Sequence, residues 1–464
     1  MRFLRNPANT KSPRTDGHSP QTFWHTTGKN LLKAIIPPFI MLQILFLGLQ
    51  SYIFGSVFRN GDRVHNMKVL AVNFDDGIVG QALQEASQLL QSPSFPTLVW
   101  TDNEDYPTPE DIYDEVRKGH YWAGIYSIGG ASERLNAALH GGEAAQSYQA
   151  NNTIRYVFNG MRYPNQEQGE IQSSLETLIS TSRIVFNKLN GTAAANLLPR
   201  SDSTAAQVLL SPIMSSSINI KEASAGGRVL YNTAAQILVI LPSFFLMMAL
   251  NGIASGLQLY SKASLLMNAY VRASLSFAYT FIGSLCAASV IYAYREGMEI
   301  SGGQHMLLWM ALWLYMHVQF LVFDVATTFI PQTFIAFFTV SWAIINISSV
   351  LVPFDLTAGF YHWEYASPTY NMYQLEIAII SGSGCYDRGV WLSLPIMFVW
   401  WIVMLGAASL AVLVRCRMAR KAALDAAAKA VDEKTSAETS SDVESMRSVT
   451  TDFTTHSDLQ LHRV

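Results

Sequence analysis

Asp324 is the residue of this sequence best placed to do chemistry. It is the only formal charge between positions 306 and 354, a stretch of Leu, Phe, Trp, Val, Ile and Met without a polar stripe. His317 lies two turns before it on the same helical face, about 10 Å away along the axis. Ionisable groups inside a membrane are costly to hold and face a protein interior or a wet cavity, so the pair is a candidate for a proton-coupled step. The alternative is that Asp324, within two turns of a helix end, reaches interfacial water or a backbone amide.

The remaining candidates are weaker. Asp75-Asp76-Gly77, followed by Gly80, closes one apolar run and opens another. The carboxyl ends of strands face ligand crevices in α/β sheets, but a plain tight turn is the stronger reading of Asp and Gly there. The acidic run 102–115 reads as a capped helix start, because Thr108, Pro109, Glu110 and Asp111 place a cap, an N1 proline and first-turn acids in order. Phe360, Tyr361, Trp363, Tyr365 and Pro368 lie in an aromatic loop that either gates a pathway or anchors at the headgroup level. Sequons at Asn151 and Asn190 fit glycosylation, and a third at Asn346 falls inside an apolar run and should be unused. Cys416, between Arg415 and Arg417 just past an apolar run, fits palmitoylation or an inert thiol equally. Ser441 lies in a Ser/Thr-rich tail that offers phosphorylation sites. No nucleophile motif, zinc motif or P-loop occurs, so no enzyme, cofactor or metal is called for.

The elements that must position these residues are set by hydropathy. Half of the 464 residues are hydrophobic and 14% are charged, and the mean hydropathy is +0.19. A net charge of −3 gives no basic field for nucleic acid. A bilayer core needs about 20 apolar helical residues to cross. Residues 306–330 and 333–352 meet that length and form a hairpin about Pro331. Spans are also expected over 34–54, 229–261, 273–294 and 390–414. Residues 1–33, with Arg2, Arg5, Lys11, Arg14, Lys29 and Lys33 against Asp16 alone, are cytoplasmic by the positive-inside rule, as are Lys262, Arg272, Arg415, Arg417, Arg420 and Lys421. Both termini therefore lie inside. Cys286, Cys385 and Cys416 fall in different compartments, which argues against a disulfide framework.

Between the first two spans charges return, and the spacing predicts strands over 68–74, 97–100, 121–128 and 154–158. Helices are predicted over 79–90, from 109 to Gly119, over 132–140 and over 171–189. The expected fold is an α-helical multi-pass membrane protein with six transmembrane helices and an α/β extracytoplasmic domain inserted between helices 1 and 2. Its parts are a basic tail (1–33), the first helix (34–58), the α/β domain (59–228), a five-helix membrane domain (229–414) and a largely disordered cytoplasmic tail (415–464).

Two stretches carry a family resemblance. One is Val72-Asn73-Phe74-Asp75-Asp76-Gly77 with Val79-Gly80-Gln81-Ala82-Leu83, and the other is Gly359-Phe360-Tyr361-His362-Trp363-Glu364-Tyr365-Ala366-Ser367-Pro368 with Tyr370-Asn371. With the span arrangement they make the chain resemble the fungal nitrosoguanidine-resistance membrane proteins, a DUF3533-like group, over 34–414. More distantly it is similar to ABC-2-type permeases and the phage-infection-protein group. It departs from the family pattern at Asn73, Glu364 and Ser367. The resemblance implies a transporter-like role in drug or toxin resistance, by export of amphipathic small molecules or lipids. It also implies a gate at the aromatic loop and an ATPase contact near 262–272, although this chain has no nucleotide-binding domain. The alternative is a non-transporting organiser that alters lipid composition or stress tolerance. The expected partners are the lipid bilayer, an amphipathic or lipid substrate and a second copy of the chain (a homodimer), in the plasma membrane and without nucleic acid.

Overall fold

The computed structural model describes residues 29–223, 226–227 and 230–458, with side chains described through 431 and at 435. Arg2, Arg5, Lys11 and Arg14, and the side chains of the Ser/Thr-rich tail, lie outside the described residues. The chain forms two compact units, Met1–Gly55 and Ser56–Val464. The first unit holds almost all of helix α1 (Lys29–Ser56), a 28-residue apolar helix with Pro37 and Pro38 inside it. Its Phe39, Ile44 and Leu47 side chains are exposed, as expected of a surface turned to lipid rather than water.

The second unit opens with a mixed sheet of five strands. They are β1 (Lys68–Asn73), β2 (Thr97–Thr101), β3 (Ala123–Ser127), β4 (Ile154–Phe158) and β5 (Ser215–Asn219), in the order β2-β1-β3-β4-β5. β1 runs parallel to β2 and β3, β3 pairs antiparallel with β4, and β5 runs parallel to β4. Helices α2 (Ile78–Leu89), α3 (Pro109–Lys118), α4 (Ala131–Leu139), α5 (Ser173–Leu197) and α6 (Ser203–Leu210) connect and cover the strands. Val69, Leu70, Ala71 and Val72 are all buried, so both faces of β1 are covered, as the parallel crossovers require. Leu70, Val72, Tyr126 and Val157 pack against Ile112 and Val116 of α3. α3 begins on a capping box between Thr108 and Asp111 and stops at Gly119 with φ +87°. The four strands and four helices expected here are present, and α6 and β5 are additions.

The rest of the unit is helical: α7 (Ala234–Gly256), α8 (Leu265–Ala293), α9 (Gly302–Phe329), α10 (Ile335–Leu351), α11 (Pro368–Ile380) and α12 (Leu394–Asp458). Among the described residues five helices are long and apolar enough to cross a membrane: α1, α7, α8, α9 and the 387–431 segment that includes the start of α12. The remaining expected span, 333–352, forms the 17-residue α10, about 25 Å long at 1.5 Å per residue and so short of a full bilayer core. The backbone of α12 stays helical to Asp458, past the point where composition predicts no fold; the alanine-rich run 422–430 favours helix propagation there.

α9 is the axis of this bundle. Every residue from Tyr315 to Asp324 is buried, which is why that stretch lacks a polar stripe: a helix surrounded on all sides is apolar all round. Leu308, Leu312, Met316 and Phe323 pack with Val239 and Met247 of α7, Ala288 of α8, Met372 of α11 and Met397 of α12.

The sheet supplies a test of its packing. A Cβ at Gly80 would lie 2.2 Å from both Asn73 Oδ1 and the Asp75 carbonyl oxygen, and a backbone oxygen cannot turn aside. Gly80→Ala is expected to destabilise the protein by about 1–3 kcal/mol. Thermal unfolding of the purified protein checks this, and an unchanged midpoint would refute the close approach.

Candidate functional site

Asp324 is 2% exposed and sits between two arginines. Arg272 of α8 donates to Asp324 Oδ1 from Nε at 2.9 Å and from Nη2 at 2.7 Å. Arg415 of α12 donates to the same oxygen, and also to the Asp324 carbonyl and Thr327 Oγ1. The Arg272 guanidinium is further held by the Tyr260 hydroxyl at 2.7 Å and Asn251 Oδ1 at 2.9 Å. Three long helices and the turn Leu259–Lys262 are thereby tied at one point. This corrects two expectations. Arg272 is a buried helix residue and not part of a cytoplasmic loop, and Asp324 meets guanidinium groups instead of interfacial water.

His317 does not join this group. Its Nδ1 accepts a hydrogen bond from Trp401 Nε1 at 2.8 Å, its Nε2 faces Ser276 Oγ at 3.4 Å, and the Phe277 ring lies 4.3 Å away. A ring that accepts at Nδ1 is the neutral imidazole. The expected His317–Asp324 pair is therefore not formed.

A cleft of about 580 Å³ opens between α7, α8 and α9. Leu238, Pro242, Tyr279, Cys286, Val290 and Met316 are among its lining, and no described lining residue is charged. Its volume lies in the range of drug-sized binding sites. Leu238, Ile282 and Val290 at its rim are exposed, so the cleft opens sideways from the bundle. Gly283 keeps its floor against Met316, whose Cε would lie 2.8 Å from a Cβ there.

The segment 355–388 differs from the expected outer loop. The 3-10 turn Gly359–Ala366 exposes Phe360, Trp363 and Tyr365, while Tyr361 is buried. Pro368 then opens α11, a helix buried along almost its whole length. Around it lies a polar network inside an apolar bundle. Tyr315 Oη and Thr369 Oγ1 are 2.7 Å apart, Thr369 Oγ1 donates to Asn346 Oδ1 at 2.7 Å, and Trp342 Nε1 donates to Gln319 Oε1 at 2.7 Å. Gln236 Nε2 of α7 donates to Glu376 Oε2 at 2.8 Å. Sequence reasoning missed these residues; the glutamines and Glu376 interrupting otherwise apolar runs were the available signal.

The turn motif after β1 proves to be a structural lock. Asp75 is buried; its carboxylate accepts from the Ser132 amide at 2.9 Å, from the Ser132 hydroxyl at 2.5 Å and from the Gly80 amide at 3.3 Å. Asp76 is exposed and Gly77 packs against Ser132. Cys416 is 3% exposed, which corrects its expected availability for palmitoylation. Asn151 is exposed in a 3-10 turn, Asn190 is half-buried within α5, and Asn346 is buried.

Where the sheet meets α11, Arg162 stacks over the Trp122 ring at 3.8 Å and Tyr163 adopts φ +50°. The following π-helical turn Glu167–Gln172 buries Glu167, and neither carboxylate oxygen finds a partner among the described residues. Burial pushes the Glu167 carboxyl well above its ordinary value of 4.5, with Arg162 opposing.

Two outcomes follow. Asp324→Asn leaves two buried guanidinium groups facing a neutral amide and is expected to cost about 3–5 kcal/mol; a wild-type melting profile for the variant would sink the clamp. For Glu167 the folded state binds the proton more tightly than the unfolded chain. Its contribution is complete below the ordinary carboxylate range and is lost as pH rises through the raised value. The melting temperature should therefore fall as pH rises above the ordinary carboxylate range, and fall less in Glu167→Gln. Parallel slopes for the two proteins would exclude a neutral buried acid.

No curated protein and no solved structure matches the chain. Residues 38–406 match the family model described as protein of unknown function (DUF3533). The chain belongs to that family.

Proposed function

We propose that this chain is a multi-pass membrane protein that moves amphipathic small molecules or lipids outward and thereby confers drug or toxin resistance. The observation that carries the reading is the uncharged cleft between α7, α8 and α9. An amphipathic molecule dissolved in a bilayer reaches a laterally open, apolar site without crossing water, and its apolar part exchanges lipid contacts for packing against the cleft lining.

In this reading α10 is a sixth, short span, accommodated by local thinning of the bilayer. The positive-inside bias of Lys262, Arg417, Arg420 and Lys421 sets both termini in the cytoplasm, and the sheet then lies outside. The plasma membrane is the expected site, and the exposed Phe360 and Trp363 sit at the outer headgroup level. The resemblance to ABC-2-type permeases supports a pathway built from these helices. The chain carries no P-loop, so its energy comes from an ion gradient, a partner or the substrate's own gradient.

The test is intracellular accumulation of labelled amphipathic drugs and lipids in cells lacking or overproducing the protein. Lower accumulation on overproduction is expected, and Ala287→Trp, which fills the cleft, should return it to the level of cells lacking the protein. Cys286 lines the cleft and is the exposed one of the three cysteines. A transported compound should therefore slow its alkylation by a membrane-permeant maleimide. Unchanged accumulation of every compound in cells that are nonetheless resistant would overturn export and favour the membrane organiser.

A further inference from the structure

The Glu376–Gln236 pair lacks one atom. Both side chains are fully buried, Glu376 on α11 and Gln236 on α7. One hydrogen bond joins them, from Gln236 Nε2 to Glu376 Oε2 at 2.8 Å. The two remaining oxygens, Glu376 Oε1 and Gln236 Oε1, are buried acceptors without a donor. A buried polar atom left unpaired costs about 1–3 kcal/mol, so two on one contact are not incidental. A carboxylic acid and a primary amide are complementary groups: the amide N–H donates to the acid carbonyl, and the acid O–H donates to the amide oxygen. Here the first bond is present, and a single proton on the carboxyl supplies the donor that both orphaned oxygens lack.

The surroundings favour that proton. No cation forms an ion pair with Glu376 among the described residues. The titratable groups that face it are Tyr315 of α9 and Tyr373 of its own helix. Tyr315 is engaged with Thr369, and the Tyr373 hydroxyl accepts the Tyr163 amide at 3.2 Å. On the segments flanking α11 the charged groups are Glu364, Asp387 and Arg388; α9 and α12, which also pack against it, carry Asp324 and Arg415 bonded to each other, His305 and His317 on α9, and exposed charged residues farther along α12. Glu364 bonds Ser348 of α10, Asp387 faces His120, and Arg388 faces Asp355 and the Tyr365, Tyr370 and Cys385 side chains. Asp324 presents the opposite arrangement, with two guanidinium groups donating to its carboxylate.

We propose that Glu376 and Gln236 form a proton-binding site, occupied when Glu376 of α11 meets Gln236 of α7 as it does here. Water supplies the proton to the carboxylate when the two helices part and takes it back on the next opening. The site deepens the export reading by naming a proton as the coupling ion, and it rests on that reading only for the coupling.

Infrared difference spectroscopy of the purified full chain in lipid nanodiscs tests the site without any substrate. At neutral pH a protonated-carboxyl carbonyl component is expected that disappears in Glu376→Gln and survives in Glu167→Gln. In Gln236→Leu, which removes the amide donor but not the acid, the same component should move to higher frequency. A neutral-pH spectrum that Glu376→Gln leaves unchanged would overturn the proposal, as would a component insensitive to Gln236→Leu. If the component behaves as expected while export is unaffected in Glu376→Gln, the site stands and it is the coupling to export that fails.

Discussion

One carboxylate holds the helical part of this protein together. Asp324 receives two guanidinium groups from different helices, and the same arginines reach Asn251, Tyr260 and Thr327. Between membrane helices there is little hydrophobic driving force, since lipid tails are as apolar as the side chains they replace; packing and interhelical hydrogen bonds do the ordering. A buried charge triad of this kind adds little net stability over an apolar core. What it adds is register, because only one rotation and depth of α8, α9 and α12 brings all three groups into range.

Polar groups are distributed unequally along the bundle. The Asp324 end is saturated, with each arginine given several acceptors. Around α11 the balance reverses, with buried acceptors exceeding donors at Glu376, Gln236 and Asn371. A saturated network resists movement, whereas an under-satisfied one gains partners when water or a proton enters. The cleft between α7, α8 and α9 shares α7 with the Glu376 contact, so a displacement of α7 changes both at once. Substrate access and proton exchange would then be linked through one helix, with no need for a longer relay.

The sheet was legible because its signals are local. The capping box at Thr108, the stop at Gly119 and the span of β4 follow from neighbouring residues alone. β5 was not legible: Ser215-Ser216-Ser217 has no β-branched or aromatic signature, and its pairing with β4 is set by residues 61 positions away. The bundle was legible in length but not in partnership. Hydropathy reads Arg272 and Arg415 as markers of an aqueous loop because a window registers charge without its counter-charge, and Asp324 is 52 and 91 residues distant from them. α11 was missed for a related reason. Its Tyr, Asn, Gln and Glu residues lower its apparent hydropathy, yet all are buried, and Asn371, Tyr373 and Glu376 each bond another polar group.

The family motif after β1 illustrates how little a recurrent pattern need say about ligands. Asn73 accepts from the Ser127 hydroxyl and the Asp75 amide, Asp75 accepts from Ser132 and Gly80, and Gly80 leaves no room for a Cβ. Each of these groups is engaged in joining β1 to the starts of α2 and α4. A side chain whose acceptors are taken by backbone amides has nothing left for a substrate. An aspartate at position 73 in place of asparagine would keep the same acceptor oxygen facing Ser127, so the departure at this position conserves the lock. Among the described residues, buried acceptors without a donor at Glu376, Gln236 and Asn371 lie around α11 instead.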